Sequence, residues 1–186
     1  MGVTARELCP GRLSDAAAEL SLTGPLPWFA IVSKPQHERA VHDALLQKNM
    51  DSFLPTYWAA RRWSDRVKRL HVPLFAGYVF CRFEYAKRVP VLRTPGVRSI
   101  VCFGSEIVSI PDGDIDRIKV MVASGCCMEP WPFLNAGQRV RVHDGPLTGL
   151  EGLLTEFRGT CRVVVSLELL QRSVAVQFCR DQITPL

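Results

Sequence analysis

Near residue 125 the patterning of this chain changes, and few folds accommodate what lies on both sides. Before that point, apolar runs of strand length alternate with segments of helical periodicity; after it, helical periodicity stops and glycines recur at short range. Trp28-Phe29-Ala30-Ile31-Val32 reads as a strand that Lys34-Pro35 ends. Over Gln36–Lys48 the apolar positions Ala40, Val41, Ala44 and Leu45 recur at helical spacing, which predicts an amphipathic helix lying on a sheet. Phe53–Trp58 reads as a strand whose Pro55 suits an edge, and Tyr78–Phe83 as a stronger one. A short helix over Ala86–Arg93, a strand over Val97–Phe103 and an extended Ile107–Ile110 follow. A third helix runs from Ile115 to about Ala123, with Asp112 and Asp114 suited to its dipole. The order β-α-β-β-α-β-α indicates an α+β sandwich, with helices on one face of an antiparallel sheet.

Past this point Val140-Arg141-Val142 alternates, Gly145-Pro146 turns the chain, and Arg162–Leu167 and Ser173–Phe178 read as strands. A small β-barrel of about 55 residues fits, near the lower size limit for independent folding. The expected organisation is a flexible arm over residues 1–26, an α+β domain over 27–124, a linker over 125–132 and a barrel over 133–186. Within the arm, Leu13–Leu20 has the pattern of two helical turns.

Charge narrows the partner. The chain carries +5, yet between Arg61 and Arg93 nine Lys or Arg face only Asp65 and Glu84, a local +7, so the remainder is slightly acidic. Such a field suits a polyanion, with Arg61, Arg62, Arg66, Lys68 and Arg69 as its densest part; a merely solvated loop is the alternative. No run of about 18 uncharged apolar residues exists to cross a membrane, and residues 1–27 lack a signal-peptide core, so a cytoplasmic protein is expected.

The seven cysteines show no repeated Cys-x-x-Cys spacing, and His37 and His42 lie five apart, so neither a metal nor a thiol site is expected. Cys126-Cys127 reads as two reduced thiols, and both histidines as surface residues. With no glycine-rich phosphate loop either, nothing points to a cofactor or to catalysis.

Four segments, in order, resemble the NusG family. Trp28 through Arg39, with Lys34-Pro35 and Glu38, is similar to the opening strand and helix of its N-terminal domain. Leu74-Phe75-Ala76-Gly77-Tyr78-Val79-Phe80 resembles that domain's Phe-Pro-Gly-Tyr-Val signature, with Ala76 where proline is usual. Thr94-Pro95-Gly96-Val97 and Ile100–Gly104 resemble its later segment, and Val140–Gly152 resembles a KOW motif. The resemblance implies an SH3-like KOW barrel after a NusG-type sandwich, and a non-enzymatic elongation or antitermination factor.

It also implies partners. The N-terminal domain would grip the clamp helices of the largest RNA polymerase subunit through Phe75 and Tyr78, with Pro55 and Tyr57. Tyr78–Phe83 carries aromatics toward both faces, so either a partner or further helices must cover the second face. In relatives resembling RfaH, basic residues at the start of the first helix touch the non-template DNA strand, which assigns that role to Lys34, His37 and Arg39. The Gly145–Gly152 loop is where the family meets a ribosomal protein or Rho, so Leu147 and Leu150 are either partner anchors or barrel plugs. Leu150 stands where general NusG proteins favour an aromatic. Together with the arm and the basic segment, it points toward a specialised antiterminator, with a general NusG-type factor or a KOW-type ribosome- or RNA-binding protein as alternatives.

Overall fold

The computed structural model describes residues 12–13, 25–63, 66–104, 106–131, 137–157, 160–178 and 182–186. They fall into two compact units, Met1–Leu54 with Phe75–Ile115, and Pro55–Leu74 with Asp116–Leu186. The helical pattern at Leu13–Leu20 lies outside the described residues, apart from Arg12–Leu13 (β1), which pairs in parallel with Glu106–Ile107 (β9).

The first unit is built on a four-stranded antiparallel sheet in the order β3-β6-β2-β7, comprising Trp28–Ser33 (β2), Asp51–Phe53 (β3), Tyr78–Arg82 (β6) and Val97–Ile100 (β7). The cross-strand pairs Phe29↔Cys81 and Ile31↔Val79 set one face. Against it lie Val41 and Leu45 of helix α1 (Glu38–Gln47) and Val91 of α2 (Arg88–Leu92), forming one buried cluster. Because Val41 and Leu45 are four apart, one helical stripe supplies both.

The second face is also closed. Trp28, Ala30 and Phe80 on it are fully buried. Phe53 and Phe75 flank Phe80 with ring centroids at 6.2 and 5.6 Å. The Arg82 guanidinium lies 4.9 Å over the Trp28 ring and pairs with Asp112 at the start of helix α3 (Asp112–Ala123). Phe80 on this face and Phe83 on the other are thus internal packing, while Tyr78 stays half-buried.

Two expected strands divide. Phe53–Trp58 splits at Pro55: Asp51–Phe53 joins the sheet, whereas Thr56–Trp63 (β4) pairs only with Arg66–Pro73 (β5) in a separate two-stranded ribbon. Proline lacks the N–H a continuous ladder needs, and the Pro55 carbonyl instead accepts from Leu74 N–H at 2.9 Å, closing the base of the ribbon. The basic stretch therefore forms strands, not a loop. Val97–Phe103 likewise divides into β7 and Cys102–Phe103 (β8), the latter pairing with β9.

The second unit contains a six-stranded antiparallel sheet in the order β10-β14-β13-β12-β11-β15. Its strands are Met128–Trp131 (β10), Gln138–Val142 (β11), Glu151–Phe157 (β12), Thr160–Leu167 (β13), Arg172–Phe178 (β14) and Ile183–Pro185 (β15). Residues 128–131, expected in a linker, are instead an edge strand on β14. Arg162 of β13 explains this: it pairs with Glu129 at 2.8 Å and lies 4.9 Å over the Trp131 ring, holding β10 from across the sheet. Gly152 permits the close pairing of β12 with β13, since a Cβ there would stand 2.6 Å from the Val164 carbonyl oxygen.

Candidate functional site

Three turns meet at one end of the first unit's sheet. Ser33 N–H donates to Gly77 O at 2.9 Å, and Lys34 N–H to Gly96 O at 2.7 Å, so the 33–38 turn is bonded to both the 75–78 and 94–97 turns. Gly77 has φ +86°, a left-handed conformation that only glycine adopts without strain. Its N–H donates to Glu38 Oε1 at 2.8 Å. Glu38 opens α1 and is 7% exposed, so its carboxylate holds the neighbouring turn as well as favouring its own helix terminus.

This arrangement brings several expected residues together and separates others. Lys34, His37 and Arg39 are exposed on the 33–38 turn and the first turn of α1, beside the 75–78 turn. The His37 ring is steadied by Nδ1 against Pro35 O at 2.9 Å. Tyr78 is half-buried, and its N–H donates to Phe75 O at 3.1 Å. Phe75 does not share that exposure. At 2% exposure, edge-to-face with Phe80, it belongs to the core beneath the turn and presents no ring to a partner.

Pro55 and Tyr57 fall in the other unit, Pro55 buried at the base of the ribbon and Tyr57 half-buried on β4. The ribbon's register pairs Arg61 with Lys68, Arg62 with Val67 and Ala60 with Arg69. Arg69 is exposed; the side chains of Arg61, Arg62, Arg66 and Lys68 lie outside those described.

Leu147 and Leu150 take the second of their two expected readings. They are 0% and 5% exposed, so they plug the second unit's interior and are not anchors on its surface. The turn between them is tight, with Gly149 N–H donating to Val142 O at 2.8 Å and Leu150 N–H to Leu147 O at 3.0 Å. Both leucines therefore point inward, while Pro146 and Thr148 remain exposed.

His42, expected on the surface, is half-buried with Nδ1 2.9 Å from Ser52 Oγ, joining α1 to β3. Burial holds its imidazole below the ordinary 6.5; Asp43 pulls the other way and Arg39 adds to the lowering. Burial, reinforced by Asp51, pushes the Cys81 thiol up to about 12. Among the described residues, no group of three or more His, Cys, Asp or Glu side chains could hold a metal ion. No helix among them is long and apolar enough to cross a membrane.

Glu38 was legible only as part of a resemblance, because its role comes from a turn 39 residues away. Trp58, 66% exposed on β4, carries no comparable signal in the sequence. Its position opposite His71 depends on a register that a pattern of alternation does not fix.

The first unit is an antiparallel α+β fold, and the second carries a six-stranded antiparallel sheet. The family model "Transcription termination factor nusG" matches residues 26–119. The "Transcription termination/antitermination protein NusG" of Lactococcus lactis subsp. lactis (strain IL1403) is 27% identical over 169 residues, covering 84% of this chain and 91% of the relative. A solved structure described as "Domain interaction in Thermotoga maritima NusG" covers 84% of this chain and 95% of its own with a TM-score of 0.54; at 19% identity it bears on the fold alone. A chain of an MjSpt4:Spt5 complex is 12% identical and covers 86% of this chain and 97% of its own, at a TM-score of 0.27. The chain belongs to the NusG family. It is a NusG-type transcription termination/antitermination factor, of a family whose members are non-enzymatic.

Proposed function

We propose that this factor binds RNA polymerase through the turn cluster of its first unit and disfavours the paused state. The observation that carries this reading is the bonding of the 33–38, 75–78 and 94–97 turns, which presents Tyr78 beside the cations Lys34 and Arg39 on one preorganised edge. Tyr78 contacts the clamp helices of the largest subunit, and Phe75 supports it from the core beneath; in the second unit, Tyr57 and Pro55 are assigned the same partner. A ligand that prefers the elongating conformation shifts the polymerase toward it without doing chemistry.

Lys34, His37 and Arg39, together with the ribbon cations Arg61, Arg62, Arg66, Lys68 and Arg69, face nucleic acid, including the non-template DNA strand. Backbone contacts of this type supply affinity, not sequence choice. The second unit is a KOW domain that recruits another factor. Supporting this, the Val140–Gly152 motif forms a strand, a tight turn and a second strand, with Val140 opposite Gly152. With both leucines inside, a ribosomal protein or Rho would meet the exposed Pro146 and Thr148.

In vitro transcription on a template with a defined pause tests the reading. Adding the full chain should shorten the pause, and Tyr78→Ala should remove the effect. An unchanged pause at saturating protein would sink it.

A further inference from the structure

The ribbon carries an aromatic feature that none of these roles uses. Trp58 on β4 stands directly opposite His71 on β5, and the two rings pack edge-to-face with centroids 3.8 Å apart. Thr56 Oγ1, 3.0 Å from His71 Nδ1, holds the imidazole in place from the same strand as Trp58. The pair is not part of a core: His71 is exposed and Trp58 is 66% exposed. A large indole left open to water yet fixed in orientation by a neighbour is a preformed contact surface.

Its surroundings are cationic. Ala60 and Arg69, the next pair on that face, lie two residues along each strand from Trp58 and His71, with Arg69 exposed. Along the whole ribbon, residues 56–73, five Lys or Arg stand against Asp65 alone, a net of +4. An apolar protein helix would meet uncompensated charge here. A duplex would present phosphates but no open base face to the indole. An unpaired strand offers both phosphates for the cations and base faces for the ring.

We infer that Trp58 and His71 form a stacking platform for an unpaired nucleobase, making the ribbon a binding site for single-stranded nucleic acid. This rests on the reading of the ribbon as a nucleic-acid-facing element and adds base stacking to its phosphate contacts. Stacking tolerates any base, so the platform would raise affinity for unpaired strands without selecting sequence. Because stacking is far less salt-dependent than the phosphate contacts, its share should survive at salt concentrations that remove the rest.

Fluorescence anisotropy with the full-length protein tests this. The probes are end-labelled DNA and RNA strands of about twelve nucleotides, an abasic phosphate spacer of equal length, and a blunt duplex. The wild type should bind at least one base-bearing strand about tenfold more tightly than the spacer or duplex. Trp58→Ala should reduce that strand to the spacer's affinity and leave spacer binding unchanged, whereas Trp58→Phe should keep most of the difference. The melting curves of both variants should match the wild type, since the side chain is exposed. Equal binding of base-bearing strands and spacer would overturn the platform while leaving the cationic reading intact. Absence of binding to every probe would remove both. An unaltered oligonucleotide affinity in Trp58→Ala, with a lost affinity for nucleic-acid-free polymerase, would assign Trp58 to a protein contact and overturn the inference.

Discussion

Replacing Phe75 and Tyr78 one at a time separates packing from recognition at the turn between them. Phe75 is 2% exposed and edge-to-face with Phe80, so Phe75→Ala removes a buried ring and leaves a cavity, at a cost of about 3–5 kcal/mol. A unit of roughly a hundred residues is stable by only about 5–15 kcal/mol. The first unit should therefore lose a large share of its stability, and its melting temperature should fall by at least about 12 °C at about 4 °C per kcal/mol. Tyr78 is half-buried, and Tyr78→Ala should cost about 1 kcal/mol, within the ordinary range for partly exposed positions. Differential scanning calorimetry of the full chain gives both values, and binding to polymerase is measured at a temperature where both variants remain folded. Under those conditions Tyr78→Ala should lose about tenfold or more in affinity, as an interface aromatic does, while Phe75→Ala retains most of it. A Phe75→Ala protein that melts like the wild type would refute the assignment of Phe75 to the core.

Other consequences follow from single groups. The folded-state pKa of His42 lies below its ordinary value, so the unfolded chain binds more protons in that range. Stability should fall as the pH drops through about 6.5, and His42→Asn should weaken that dependence in urea titrations at pH 7.5 and 5.5. Because the Cys81 thiol is pushed up to about 12, it should resist alkylation at pH 8 until the protein unfolds, as peptide mass mapping would show. Gly152→Ala would drive a Cβ to 2.6 Å from the Val164 carbonyl oxygen and should cost the second unit about 1–3 kcal/mol, read from its unfolding transition; a neutral effect would mean that the β12–β13 pairing is looser.

Where local spacing decides structure, the sequence was readable. Val41 and Leu45 announced α1 and its buried face, and the acidic first turn of α3 marked its start near Asp112. The alternation of Val140-Arg141-Val142 matched a strand of the second sheet, with both valines buried and Arg141 exposed. Pairings between distant segments were not readable. Pro55 signalled an edge, but alternation alone did not decide whether β4 would join the main sheet or pair with β5. Met128–Trp131 looked like a linker because Pro130 and its neighbours break local patterns, and only Arg162, reaching Glu129 and Trp131, shows why it is a strand. The same limit applied to the surface. Aromatics toward both faces of Tyr78–Phe83 suggested an exposed patch, yet Phe53 and Phe75 arrive from other segments to bury Phe80. For Leu147 and Leu150, a turn motif fixed the backbone but not which side chains face inward.

The most direct test of the function proposed for this NusG-family chain is its equilibrium affinity for an assembled transcription elongation complex. Wild type and Tyr78→Ala are titrated against complexes built with RNA polymerase from the source cell, and bound protein is read by native-gel shift. Wild type should bind in the micromolar range or tighter, equivalent to about −8 kcal/mol or better. Tyr78→Ala, still folded, should bind at least about tenfold more weakly. Wild-type protein that fails to bind, or a folded Tyr78→Ala variant with wild-type affinity, would contradict recognition through the turn that Glu38 and Gly77 hold.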